Sequence, residues 1–165
     1  MFIYIHIPFC RQRCSYCRFA LDPQPTDSKI ATYIGALLRE IDAFMLGRED
    51  IIIESIYFGG GTPSMLPLQY LEAILERFSI AQRSPDCEIT LEGNPEDITI
   101  ENAIAYRNFG FTRISLGIQT LSDRALIEVG RSSKFDIMSA LDHLSTAGHN
   151  NINVDFILGL PHVIT

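Results

Sequence analysis

The feature that most constrains this chain is a two-sided alternation inside its short extended runs. In residues 113–119, RISLGIQ, Ile114, Leu116 and Ile118 fall on one side of a strand, and Arg113, Ser115, Gly117 and Gln119 on the other. Residues 2–7 repeat the pattern, with Ile3, Ile5 and Ile7 opposite Phe2, Tyr4 and His6. Residues 88–92 oppose Ile89 and Leu91 to Glu88, Thr90 and Glu92, and residues 152–158 set Ile152, Val154 and Phe156 against Asn151, Asn153 and Asp155. Only the run 51–58 is nearly all apolar.

Helical periodicity fills the gaps between these runs. Ile30, Tyr33, Ile34, Leu37, Leu38, Ile41, Phe44 and Met45 recur at three and four, with Thr26 or Asp27 as cap and Gly47 as stop. LQYLEAILERF after Pro67, IENAIAYRNF before Gly110, SDRALIEV before Gly130 and FDIMSALDHLSTA before Gly148 read the same way. Strand and helix in alternation imply an α/β fold of about five parallel strands joined by right-handed crossovers. Strands covered on both faces would be apolar throughout. Here one face carries amide and ionisable groups, each costing roughly 1–3 kcal/mol if buried unpaired. A curved sheet, closed or partly closed as a barrel with outer helices and a polar interior, fits this better than a flat doubly wound sheet.

Parallel βα units place every strand C-terminus on one rim, where such folds bind ligands. The unusual residues fall there: Cys10, Cys14 and Cys17 after the first strand, GGGTP (59–63) after the second and EGNP (92–95) at the third. GIQ (117–119) closes the fourth, and Asp155 with GLP (159–161) the fifth.

Three cysteines within eight residues leave three readings: coincidence in a core loop, a Cys3His zinc site completed by His6, or an iron–sulfur cluster with one iron free of protein ligands. Arg11, Arg13 and Arg18 interleave them, as solvated charge or as partial compensation of an anionic cluster. The glycine run permits tight backbone geometry and exposes main-chain groups to a charged ligand; it has neither the Lys-Ser/Thr ending of a nucleotide loop nor a dinucleotide fingerprint. Glu92 and Asp155 are inward acids placed to accept ribose hydroxyls or to be satisfied by Arg113 or backbone. His6 reads as a hydrogen-bonded interior residue, Cys87 as a buried core thiol, and His143, His149 and His162 as surface or loop residues.

A net charge of −7 and the lack of any Lys/Arg block argue against nucleic acid or an anionic membrane as partner. The apolar N-terminus has no basic flank, contains His6 and Pro8 and is too short to span a bilayer, so it reads as a strand rather than a signal or transmembrane segment. A cytoplasmic location, where clustered thiols bind metal rather than form disulfides, is the expectation.

YIHIPFCRQRCSYC, FGGGTPS, EGNPEDIT, RISLGIQT and DFILGLP, in this order from Tyr4 to Pro161, resemble the radical S-adenosylmethionine (SAM) superfamily. Within it they resemble the oxygen-independent coproporphyrinogen III oxidases and their HemW-like haem-chaperone relatives. The resemblance implies that Cys10, Cys14 and Cys17 hold three irons of a 4Fe-4S cluster while the fourth binds the amino and carboxylate groups of SAM, whose reductive cleavage yields a 5'-deoxyadenosyl radical. It implies SAM contacts from Tyr4, Tyr16, Gly60, Gly61, Thr62, Glu92, Gln119, Arg131 and Asp155. It implies haem or a porphyrinogen as partner, and an electron donor that the sequence does not identify. In the oxidases a fourth cysteine stands two positions after the last ligand. Phe19 occupies that position here, which favours the haem-chaperone branch, although Arg18 stands where that branch commonly has an acid. Relatives complete a six-strand partial barrel and add a C-terminal domain. The chain is therefore expected to be one radical SAM core domain over 1–165, an incomplete TIM-type barrel truncated before the sixth strand, with an inactive fragment as the remaining alternative.

Overall fold

A computed structural model describes residues 1–132 and 135–163 of the expected domain; residues 133, 134, 164 and 165 lie outside the described ones. The order is β1 (Phe2–Ile7), β2 (Phe9–Cys10), β3 (Asp22–Pro23), α1 (Asp27–Met45), β4 (Ile52–Gly60), α2 (Leu68–Arg77) and β5 (Gln82–Gly93). It continues with α3 (Ile100–Phe109), β6 (Arg113–Gln119), α4 (Asp123–Glu128), α5 (Ile137–Thr146) and β7 (Ile152–Phe156). β1, β4, β5, β6 and β7 form one parallel sheet in that spatial order, so each new strand is laid beside the previous one. The sheet is open, with β1 and β7 at its edges and no closure among the described residues.

The helices start and stop where their caps dictate. Thr26, Thr99 and Ser122 each accept a hydrogen bond from the main-chain N–H three residues on, and Asp136 accepts from Met138 and Ser139. Gly110, at φ +93°, ends α3 in the left-handed conformation. The helices cover one face of the sheet. Ile5, Ile7, Phe58, Ile89, Leu91, Ile114 and Leu116 are buried there against Ile30, Ile34, Leu71, Ile74, Tyr106 and Leu144. Each such large side chain contributes roughly 1.5–3 kcal/mol on burial.

The polar face is the alternate register of the same strands. Glu88 accepts from Thr90 (3.1 Å) and Asn151 (3.4 Å) and pairs with Arg113 (3.6 Å). Asp155 accepts from Ser115 (3.0 Å) and Asn153 (2.9 Å). The polar groups thus satisfy one another across strands, which removes most of the cost that a dry layer would impose.

Three expectations are corrected. β4 is not apolar on both sides: Ile53, Ile56 and Phe58 are buried, whereas Ile52 and Glu54 are exposed. The pairing of β4 with β5 breaks between Ile53 and Ser55, where residues 84–87 of β5 have no partner, and this irregularity lets Ile53 and Ile56, three apart, share the buried face. His149 is buried rather than superficial, and its Nε2–H donates to Ala103 O of α3 at 3.0 Å. His143 likewise donates from Nδ1 to Ile98 O (2.9 Å), and His162 pairs with Glu128. Cys87 is half-buried, packed on the edge of the core rather than inside it.

Burial lowers the pKa of His149 below its ordinary value, against the opposing pull of the Ala103 carbonyl. The folded state therefore binds this proton less readily than the unfolded chain. The stability involved is present above about pH 6.5 and is lost as pH falls through the folded value. Urea titrations across this range are expected to show stability declining by up to about 1.4 kcal/mol per pH unit, with a shallower slope in His149→Gln. On the edge strand, Val154 and Phe156 are exposed, followed by Leu158, an arrangement prone to association. Phe156→Lys is expected to reduce self-association in sedimentation velocity while leaving the thermal midpoint unchanged.

Candidate functional site

The C-terminal ends of the strands surround a cavity of about 260 Å³, and the cysteine loop closes one side of it. The loop leaves β1, forms β2 and returns to β3, which pairs with it over Phe9–Asp22 and Cys10–Pro23. Between these anchors, Cys17 N–H bonds Cys14 O (3.0 Å), Ser15 N–H bonds Val129 O (2.9 Å), and Arg13 donates to Phe19 O (3.4 Å) and Leu21 O (2.9 Å). Arg11 forms an ion pair with the buried Asp97 at 2.5 Å. Arg11 and Arg13 thus hold the loop in place rather than acting as loose countercharge.

Cys10, Cys14 and Cys17 are free, half-buried thiols that all line the cavity. Cys10 Sγ lies 3.2 Å from Thr62 Oγ1. Burial pushes its pKa up, the Thr62 hydrogen bond opposes this, and the other two cysteines reinforce it. Among the described residues, no three His, Cys, Asp or Glu side chains converge as one metal ion requires. His6, the fourth ligand of the zinc reading, is committed elsewhere: its Nε2–H donates to Ala20 O (3.2 Å), and its Nδ1 faces the Tyr4 hydroxyl at 3.4 Å. A cluster makes a different demand, since each iron takes its own thiolate. Three thiols lining one cavity, with Cys87 midway along β5 and not among the lining residues, fit that donor set.

The glycine run turns out to serve the chain first. Gly60 adopts φ +108°, and a Cβ there would lie 2.5 Å from the His6 ring; a Cβ on Gly61 would collide with the Phe9 carbonyl oxygen. The sequence suggests main-chain groups exposed to a ligand, but the N–H groups of residues 60–62 are taken within the chain. Gly60 N–H bonds Glu92 Oε2 (3.2 Å), Gly61 N–H bonds Ile7 O and Thr62 N–H bonds Phe9 O, both at 2.7 Å. Gly60, Gly61 and Thr62 nevertheless line the cavity.

Glu92 and Asp155 also line it. Glu92 Oε1 accepts the Tyr57 hydroxyl at 2.6 Å, while Asp155 is held by Ser115 and Asn153, so neither carboxylate depends on Arg113. Each Glu92 oxygen keeps a further lone pair for a ligand hydroxyl. Burial and the adjacent Glu92 both raise the pKa of Tyr57, keeping its phenol protonated as the donor. Gln119, at φ +68°, sits in the left-handed region where β6 slips register against β7. Such a conformation in a non-glycine residue costs energy and clusters at binding sites.

Arg131 reaches the cavity from the loop after α4. It donates from Nη1 to Tyr16 OH (3.2 Å) and from Nη2 to Asn94 Oδ1 (2.7 Å) and Gly117 O. Its Nε is buried without a hydrogen-bond partner among the described residues, as is Oε2 of Glu96, another lining residue. Burial pushes the Tyr16 phenol up to about 12, with Arg131 opposing. Tyr4 does not line the cavity. It is 57% exposed and stacked on Tyr57 at 5.9 Å and 21°.

Tyr57, Asn94 and Asp97 were not singled out by sequence. Tyr57 sits opposite Tyr4 and Thr90 in register, on the polar face, but the irregularity in β4 hid its parity. Asn94 stands inside the EGNP turn, where its position alone does not mark it as the partner of a distant arginine.

Comparison with known proteins identifies relatives of the whole chain. A heme chaperone HemW from Synechocystis is 38% identical over 96% of this chain, which spans 40% of that protein. An oxygen-independent coproporphyrinogen III oxidase from Bradyrhizobium diazoefficiens is 37% identical over 97% of the chain and 36% of its own length. The solved coproporphyrinogen III oxidase HemN of Escherichia coli superposes with a TM-score of 0.84 at 29% identity, over 96% of this chain and 37% of that one. The chain thus spans well under half the length of the relatives it matches. The pattern of the radical SAM superfamily, whose members use a 4Fe-4S cluster and SAM, matches residues 4–164, and the chain belongs to that superfamily.

Proposed function

We propose that this chain is the radical SAM core domain of a cytoplasmic HemW-like protein acting in haem delivery, and that its own cavity binds the cluster and SAM. The observation that carries the reading is the convergence of the three cysteine thiols, Glu92 and Arg131 on one cavity. Cys10, Cys14 and Cys17 would each hold one iron, leaving the fourth for SAM. Once bound, the cluster would supply one-electron reduction of the SAM sulfonium, with the electron coming from an external donor.

The protein's part is binding, orientation and exclusion of water. Glu92 and Asp155 accept the ribose hydroxyls, and the free Arg131 Nε–H meets a carboxylate. The Tyr16 ring packs on the adenine, with its hydroxyl pinned by Arg131. Thr62 and the carbonyls of Gly60 and Gly61 line the methionine end, and Gln119 borders the same space. Tyr4 acts at one remove, by buttressing Tyr57 and through it Glu92. No helix of the described residues is long and apolar enough to cross a membrane.

Support for haem rather than porphyrinogen as partner comes from the HemW relative and from Phe19, which lines the cavity where the oxidases carry a further cysteine. The second reading, an oxygen-independent coproporphyrinogen III oxidase, is favoured by the Bradyrhizobium relative and the HemN superposition.

Anaerobic reconstitution with iron and sulfide is expected to give a broad visible absorbance and roughly four irons per chain, with Cys14→Ala losing most of both. A wild-type chain that takes up no iron, or an unchanged Cys14→Ala, would sink the cluster assignment. Supplied with SAM, a reductant and coproporphyrinogen III, a reconstituted full-length relative is expected to form no protoporphyrinogen IX, yet to shift the haem absorbance on titration. Product formation without a haem shift would move the assignment to the oxidase.

A further inference from the structure

We propose that Arg11 and Asp97 form a positioning clamp that orders the cysteine loop before any metal is bound; its purpose, though not its existence, rests on the cluster reading above. Asp97 is 4% exposed, at the end of the turn between β5 and α3. Its carboxylate receives Arg11 Nη2 at 2.5 Å on one oxygen and Ser64 Oγ at 2.5 Å on the other. Its own carbonyl accepts from Asn102 Nδ2 (2.8 Å) and Thr99 N–H (3.2 Å), so the start of α3 fixes where this charge stands. Arg11, half-exposed, crosses from the loop to reach it.

The clamp is part of a ring. Ser64 Oγ accepts Asn94 N–H (3.2 Å), and Asn94 Oδ1 accepts Arg131, which also donates to Tyr16 OH. Arg11 follows Cys10, and Tyr16 precedes Cys17. Both ends of the ligand run are therefore tied, by two arginines, to the single turn 94–97. Ordering a loop costs roughly 1–2 kcal/mol per residue, and three thiolates brought together repel one another. A loop ordered in advance by side chains moves that cost out of the binding step. A buried carboxylate left without its cation is itself strongly unfavourable, which makes the contact decisive in both directions.

The test uses the metal-free chain first. Amide exchange over residues 11–21 is expected to run about tenfold faster in Arg11→Ala than in wild type, with a similar rise in Asp97→Asn and little more in the double variant. Arg11→Lys is expected to restore most of the protection, and Arg124→Ala, an exposed arginine of α4, to change nothing. After reconstitution, the Arg11→Ala chain is expected to lose iron to a chelator several-fold faster than wild type. Unchanged exchange in Arg11→Ala would overturn the clamp whether or not the chain takes up iron. Failure of the wild-type chain to take up iron would instead remove the cluster reading, while the exchange comparison still decides the clamp. Should Asp97→Asn fail to fold, Arg11→Ala alone decides it.

Discussion

Two main-chain hydrogen bonds determine where the chemistry of this protein can sit. Gly61 N–H to Ile7 O and Thr62 N–H to Phe9 O, each 2.7 Å, carry the pairing of β1 with β4 beyond the regular ladder. They bring Cys10 to 3.2 Å from the Thr62 hydroxyl and set the first of the three cavity cysteines against the end of the sheet. Only residues without a Cβ permit the approach, because a side chain on Gly61 would strike the Phe9 backbone. The glycine run is therefore a splice between two strands before it is a ligand cradle. The positions of Cys14 and Cys17 depend on longer-range contacts, from Ser15 to Val129 and from Tyr16 to Arg131.

That division explains why the polar face matters beyond solvation. Its acids are satisfied largely by neutral donors: Tyr57 and a main-chain N–H for Glu92, Ser115 and Asn153 for Asp155. Hydrogen bonds of this kind hold a carboxylate in place without neutralising it. The acids at the rim thus keep spare lone pairs toward the cavity, while Arg113 and Glu88 pair lower on the same face.

Much of this was readable from residue types and spacing. The alternation in 113–119 assigned Ile114, Leu116 and Ile118 to the core and Ser115 to the polar side, as the structure has them. Thr26 and Gly110 marked helix ends through local hydrogen bonding and backbone freedom. What escaped was whatever depends on pairing between distant segments. Tyr57 was hidden because the unpaired stretch at 84–87 shifts strand parity, and no local pattern announces that. His149 looked superficial after a glycine, yet its ring enters the layer under α3. Arg11 reads as solvated charge or as countercharge to a cluster, because its partner lies 86 residues on, at Asp97.

The charge balance of the cavity follows from these pairings and gives the site a direction. Arg11 is engaged by Asp97, and Arg131 directs its Nη groups to the neutral oxygens of Tyr16, Asn94 and Gly117. The remaining lining includes three thiols and the carboxyls of Glu92, Glu96 and Asp155. Burial raises the pKa of Cys10 and of Glu96, so without metal these groups hold protons more tightly than they would in water. Metal ligation requires thiolate, and a bound cation reverses the local preference by favouring the deprotonated form. Under the proposed cluster reading, loading is coupled to proton release from Cys10, and a hydrogen bond with Thr62 Oγ1 opposes the effect of burial.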